Sequence, residues 1–238
     1  MSAVCSIDDF LKDLDGIIAT YGRTRDELVS AIAEGSAPIE AVRVFAKELY
    51  FLGRVMIPEF ALLVANSPDA DANGSANGAH YRYWLDHFAD EAGWGEEADH
   101  LELKLLWCRA LGIGEDELVR YVPLPETIGM VYTLLYYVRR SYEEGLACLG
   151  YAAGRTAVDG GYAASLHEGM RRHYGMEVED LAVHAETNPA RAEKAERCLR
   201  EVAVTEHVQK RIVTAVRNYV ITHDMRKRAL NRVLAEQG

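Results

Sequence analysis

Residues 83–113 read YWLDHFADEAGWGEEADHLELKLLWCRALGI, and their reading decides the fold. Up to Glu91 the apolar and aromatic positions recur at helical spacing, with Tyr83, His87 and Glu91 at i, i+4 and i+8 beside Trp84 and Phe88. Two glycines, Gly93 and Gly95, then interrupt the pattern. The period resumes, and His100, Leu103, Trp107 and Leu111 fall on one stripe. The spacing predicts helices over about 81–91 and 96–111, joined by a glycine turn. Glu91 and His100 flank that turn on faces that otherwise read as core. Spacing alone leaves two readings. Glu91 ends a helix and His100 is a core histidine bonded to a backbone carbonyl, or the two are half of a metal site.

Outward from this stretch the chain reads as helix after helix, and alternating β-branched runs are scarce. Residues 8–20 carry apolar side chains at helical spacing. In "TRDELVSAIAEG" Thr24 is the expected N-cap, Glu27 follows three residues later, and Gly35 is a stop. Pro38 opens the next helix at a first-turn position, and that helix runs until it meets Pro58, with a further apolar stretch to Ala65. "NSPDADANGSANGAH" (66–80) reads as a long loop and "RTAVDGG" (155–161) as a second. "GIGEDELVRYVPLPETIG" (112–129) reads as irregular. Asn188-Pro189 reads as an N-cap and first position that start a helix. The expectation is an all-α chain, with 1–238 as a single helical domain of eight to ten helices.

Composition narrows the function classes. The formal net charge is −11, so phosphate neutralisation and counterion release give no affinity for nucleic acid. The basic run "DMRKRALNR" reads as a solvated helix face near a helix end. No apolar run approaches the roughly 20 residues of a membrane span. The start, MSAVCSIDDFLKDLDG, is acidic where a signal peptide is basic, so a cytoplasmic location without membrane partners is expected. The four cysteines, Cys5, Cys108, Cys148 and Cys198, form no CxxC, and Cys108 and Cys148 read as small core side chains. Tyr132, Tyr136 and Tyr137 fit core packing or a homodimer surface.

A third element matters for chemistry. In "HYGMEVEDLAVHAETNPAR" (173–191), Glu177, Leu181, His184 and Asn188 share a stripe. Glu91, His100 and His184 on facing helices would make a two-histidine, one-carboxylate set, which suits iron(II) with open positions. Core packing is the other reading of His184. On the long helix, Glu48 in "AKELYFL" faces either inward or a neighbouring Lys47 or Arg54.

Three blocks carry a family resemblance. "VRVFAKELYFLGRVMIPEFALLVANSPDA" resembles the aromatic helix, "IP" and "A-N-x-P-D" of PqqC-type proteins of pyrroloquinoline quinone synthesis. "YWLDHFADEAG…HLELKLLWCRALGIG" is similar to the block that follows it there. "GMRRHYGMEVEDLAVHAET" is similar to the "GL-x-x-h-Y-G…H-x-x-x-D-x-x-H" block of heme-oxygenase-like di-iron oxidases. The blocks cover about 40–190. The resemblance implies a heme-oxygenase-like helical bundle, shared with TenA-type thiaminases.

Carried over by position, it implies that Glu91, His100 and His184 are metal ligands. The chain departs from the di-iron pattern at Asn188, where that family has aspartate, and at Arg191, where it has histidine. The glutamate expected some thirty residues before His184 falls near 151–154, where there is no acid. Glu143 or Glu144 would supply it only if "AGRTAVDGG" (153–161) is an insertion. The histidine-rich N-terminal motif of PqqC itself is absent. The expected function is therefore an oxygen-dependent oxidase or oxygenase of specialised metabolism, acting on a small amino-acid-like or aromatic substrate. Its cofactor would be iron (mononuclear or di-iron) or none, with molecular oxygen as co-substrate. His87, His100 and His184 would be catalytic, and Tyr50, Asn188 and Arg191 would bind substrate. The rivals are a non-catalytic binding protein of the same fold and a thiaminase-like C–N hydrolase using Cys148.

Overall fold

The computed structural model describes residues 5–68, 78–94, 99–159 and 161–237. Among them every regular element is helical: α1 (Ile7–Tyr21), α2 (Glu27–Glu34), α3 (Ile39–Ala65), α4 (Ala79–Glu91), α5 (His100–Ala110), α6 (Glu115–Arg120), α7 (Pro125–Arg140), α8 (Tyr142–Gly145), α9 (Ala153–Asp159), α10 (Tyr162–Tyr174), α11 (Glu179–Val202) and α12 (Glu206–Gln237). Between α8 and α9 the chain takes a π-helical course, Leu146–Ala152, so 142–159 is one continuous helical run.

The helix ends follow local chemistry. Asp26, not Thr24, caps α2: its carboxylate accepts from Val29 N, while Thr24 N donates to Asp224 across the fold. Gly35 ends α2 in the left-handed region at φ 75°, and its N–H bonds back to Ala31 and Ile32. Gly93 is the second position where glycine is required. Its φ is 69°, and a Cβ there would lie 2.7 Å from the Asp99 Cβ. Asp99 in turn caps α5, accepting from Leu101 N and Glu102 N. The glycine turn therefore sets where His100 begins its helix. Residues 95–98 and 69–77, which hold the start of the predicted 96–111 helix and most of the predicted 66–80 loop, lie outside the described residues.

Four expected breaks are helical in whole or in part. Pro58 lies inside α3 and Pro189 inside α11, so both helices run through. A proline forfeits one intrahelical hydrogen bond; Pro58 and Pro189 are both exposed, on faces where water can reach the freed carbonyl. Asn188 is accordingly a mid-helix residue, not a cap. The predicted loop at 155–161 is mostly α9, and 112–129 contains α6 and the start of α7. Glu48 resolves inward. It is fully buried and accepts from Tyr121 OH (2.5 Å), Leu124 N (2.9 Å) and the Thr127 hydroxyl, tying the α6–α7 connection to α3.

The apolar stripes bury into two clusters. One joins α1, α4, α7, the π-helical run and α12 around Trp84, Leu146, Tyr151 and Val216; the other joins α2, α3, α5, α10 and α11 around Phe45, Trp107, Leu166 and Met170. Cys108 and Cys148 are fully buried core residues. Tyr137 is buried, whereas Tyr132 (68 %) and Tyr136 (57 %) are exposed. Among the described residues no helix is long and apolar enough to cross a membrane.

Candidate metal centre

The stripes predicted for α4 and α5 do bury, with Tyr83, Trp84 and Glu91 on one helix and His100, Leu103 and Trp107 on the next. α11 packs against both helices and brings in His184. One ligand atom from each of Glu91, His100 and His184 lies within 4.8 Å of the other two. His100 has no exposed surface, and its Nδ1–H donates to Glu91 Oε1 at 3.0 Å. Its ring centroid is 4.8 Å from that of His184.

The second layer fixes these rings. His184 Nδ1 lies 2.7 Å from the Asp180 backbone oxygen. A carbonyl only accepts, so Nδ1 carries the proton and Nε2 keeps its lone pair for a ligand. The Asp180 carboxylate is held by Lys104 Nζ at 2.7 Å, and that ammonium also reaches the His100 carbonyl at 3.4 Å. Burial alone would raise the Glu91 carboxyl, but the His100 hydrogen bond and the Lys104 charge outweigh it and hold it well below the usual carboxylate range. Burial, and then the Lys104 charge, push His184 down, so its ring is neutral.

A cavity of about 240 Å³ opens beside the cluster. Glu91 and His184 reach it, as do Phe60, Tyr83, Trp84, His87, Asn188 and Arg191. His87 stacks on Phe60 with ring centroids 5.5 Å apart and meets Tyr83 edge-on at 4.8 Å. Burial, then the Arg191 charge, push its pKa down to about 3, so it too is neutral. Arg191 reaches Asp90 Oδ2 at 2.9 Å, which orients the guanidinium at the cavity wall.

Of the residues singled out from sequence, Glu91, His100 and His184 converge, and His87, Asn188 and Arg191 line the adjoining cavity. Tyr50 does not line it: that ring lies under the Arg54 guanidinium and packs on the other core cluster. Glu177 is not on the α11 stripe, since it precedes the helix and pairs with His167. Glu144 does not supply a further ligand, because it is fully buried against Ser141, Arg140 and Arg211. The wall where an acid was sought is built from Leu149, Gly150, Ala153 and Gly154, on the π-helical run and α9. Among the described residues, the ligand set fits one ion and not two. Sequence reasoning missed Lys104 and Asp180, although His100 and Lys104 stand at i and i+4.

No protein-family model matches the sequence, and no curated protein matches it. Solved structures do. A TenA homologue from Pseudomonas syringae pv. tomato superposes with TM-score 0.70 at 12 % identity, over 93 % of this chain and 92 % of that one. A CADD-like protein of unknown function from Nostoc punctiforme gives TM-score 0.70 at 14 % identity, over 96 % and 98 %. A domain of unknown function with a heme oxygenase-like fold from Shewanella denitrificans gives 0.67 at 17 %, over 96 % and 90 %. At these identities the likeness concerns architecture, and in architecture the chain has the heme-oxygenase-like fold.

Proposed function

We propose that the chain is an oxygen-using oxidoreductase that holds a single iron(II) ion on Glu91, His100 and His184 and acts on a small substrate in the adjoining cavity. The observation that carries this reading is the convergence of three ligand atoms within 4.8 Å of one another. Two imidazoles and one carboxylate suit ferrous iron and leave open positions where oxygen and substrate can meet. A second ion is not proposed, since Asn188 and Arg191 replace two ligands and, among the described residues, no acid stands on the opposite wall.

The chain's own residues divide the remaining work. Asp180, locked by Lys104, holds His184 in the tautomer that presents Nε2. Arg191, oriented by Asp90, binds an anionic group of the substrate, and Asn188 one turn earlier donates or accepts a hydrogen bond beside it. Phe60, Tyr83 and Trp84 exclude water. His87, neutral at physiological pH, faces the substrate as a hydrogen-bonding group on the cavity wall. Cys148 is buried, and burial pushes its thiol well above the ordinary range, which counts against a thiaminase-like hydrolase.

Anaerobic reconstitution with ferrous salt, metal analysis and oxygen uptake test the reading. The expected result is one iron per chain, lost in His100→Ala and in His184→Ala. The same donor set accepts zinc, so oxygen uptake with iron and not with zinc is the discriminating readout. No bound iron in the native chain would leave a binding protein of this fold as the better account.

A further inference from the structure

Away from the metal centre, α3 and α12 pack against each other in the middle of the bundle. Each carries a stripe that is buried at its ends and open in its middle. On α12, Tyr219 and Arg226 are buried while His223 between them keeps accessible surface. On α3, Glu48 and Glu59 are fully buried while Leu52 and Met56 between them are only partly so. His223 nevertheless lies deep, since burial pushes its pKa down to about 3. Partly accessible side chains set between fully buried neighbours on both helices imply a recess between α3 and α12.

Two ionisable groups border this recess without partners. Arg226 is 4 % exposed, and its Nε and Nη2 make no hydrogen bond. Those two N–H groups form the side-on edge of the guanidinium, the geometry that takes a carboxylate through two parallel hydrogen bonds. Glu59 is fully buried, and neither carboxyl oxygen has a partner. Both groups are within electrostatic reach of the Tyr219 hydroxyl. Asp26, Tyr121, Tyr162 and His223 also lie within electrostatic reach of Arg226, and none of them makes an ion pair or hydrogen bond with it. Burying an unpaired charge is costly, and buried polar groups left unsatisfied are rare enough to need a reason.

We propose that the recess between α3 and α12 is a binding site for a small amino-carboxylate. Its carboxylate sits side-on against Arg226, its hydrocarbon middle lies along Leu52 and Met56, and its amine is bonded to Glu59. The site needs neither the metal nor turnover at Glu91, His100 and His184.

The test uses chelator-treated full-length protein, so that it stands or falls apart from the iron reading. Thermal unfolding is followed in sodium butyrate, 4-aminobutyrate and sodium chloride at one ionic strength. Butyrate is expected to raise the midpoint by several degrees over chloride, and 4-aminobutyrate further. Arg226→Gln abolishes both responses, Arg226→Lys weakens them by removing the fork, and the exposed Arg217→Gln keeps them. Glu59→Gln erases the advantage of the amine. Arg226→Met, measured without ligand, unfolds no earlier than the native chain, because no partner is stranded. A response to carboxylate equal to that of chloride, or one that survives Arg226→Gln, overturns the site. Equal responses to the two carboxylates overturn the role of Glu59. Marked destabilisation by Arg226→Met would show a structural role instead.

Discussion

Glu91 and Glu59 are both buried carboxyl groups on helices of one bundle, and their surroundings drive them in opposite directions. Glu91 accepts from His100 and feels Lys104, and it stays ionised far below its ordinary range. Glu59 meets no donor, and burial, only partly offset by Arg139, pushes its pKa up to about 8. Burial is common to both, so it cannot be what distinguishes them. What differs is whether the neighbouring helices bring a cation and a hydrogen-bond donor to the carboxylate. The region of α4, α5 and α11 is internally balanced. The region of α3 and α12 is balanced only by something the chain does not itself provide.

The sharpest way to break this contrast is to remove the cation from the balanced region. Lys104→Met leaves Asp180 buried without its partner and withdraws a charge that favours ionised Glu91. Loss of one member of a buried pair costs roughly 3–5 kcal/mol. Urea unfolding of the single variant and of Lys104→Met with Asp180→Leu checks it: the double variant should recover much of the loss, since it strands no charge. Equal stability of native and single variant would show that the pair does not hold the centre together.

Glu59→Gln should act with the opposite sign. The folded carboxyl keeps its proton up to about pH 8, whereas an unfolded one releases it near 4.5. The unfolded state therefore binds fewer protons between these values, and stability falls as pH rises through that window. At about 1.4 kcal/mol per unit, the loss by pH 8 is of order 4 kcal/mol. Glutamine cannot ionise, so the variant should match the native chain at pH 5 and exceed it at pH 8. Unfolding free energies at the two pH values read this directly. A difference that does not change with pH would mean that Glu59 already has a partner in the folded state.

The contrast also marks what the sequence made legible. Helical phase placed Tyr83, Glu91, His100, Leu103 and Trp107 inside, because their stripes run among apolar and aromatic neighbours. The resemblance supplied His184 as a ligand position. Lys104 and Arg226 were not legible, because a long cation on an amphipathic helix reads as solvent-facing unless its buried neighbours are known. Pro58 and Pro189 misled for a related reason. Proline marks a local cost, and whether the helix continues is decided by packing on either side. Tyr50 packs under the Arg54 guanidinium and does not line the cavity.

The smallest expected effect tests how the balanced region is positioned. Gly93 holds φ at 69°, where an L side chain is strained, and a Cβ would press on the Asp99 Cβ at 2.7 Å. Gly93→Ala should cost about 1–2 kcal/mol from the backbone conformation, with any push on Asp99 in addition. Gly16, inside α1 with open space around it, is the control: alanine there should stabilise by about 0.5–1 kcal/mol. Because Asp99 caps the helix that begins at His100, Gly93→Ala should also weaken iron binding, and Gly16→Ala should not. The paired readout separates two causes. A stability loss without a change in iron affinity would confine the glycine to turn geometry. Loss of both would show that the turn between α4 and α5 sets the distance from Glu91 to His100, and with it the spacing of the ligand set.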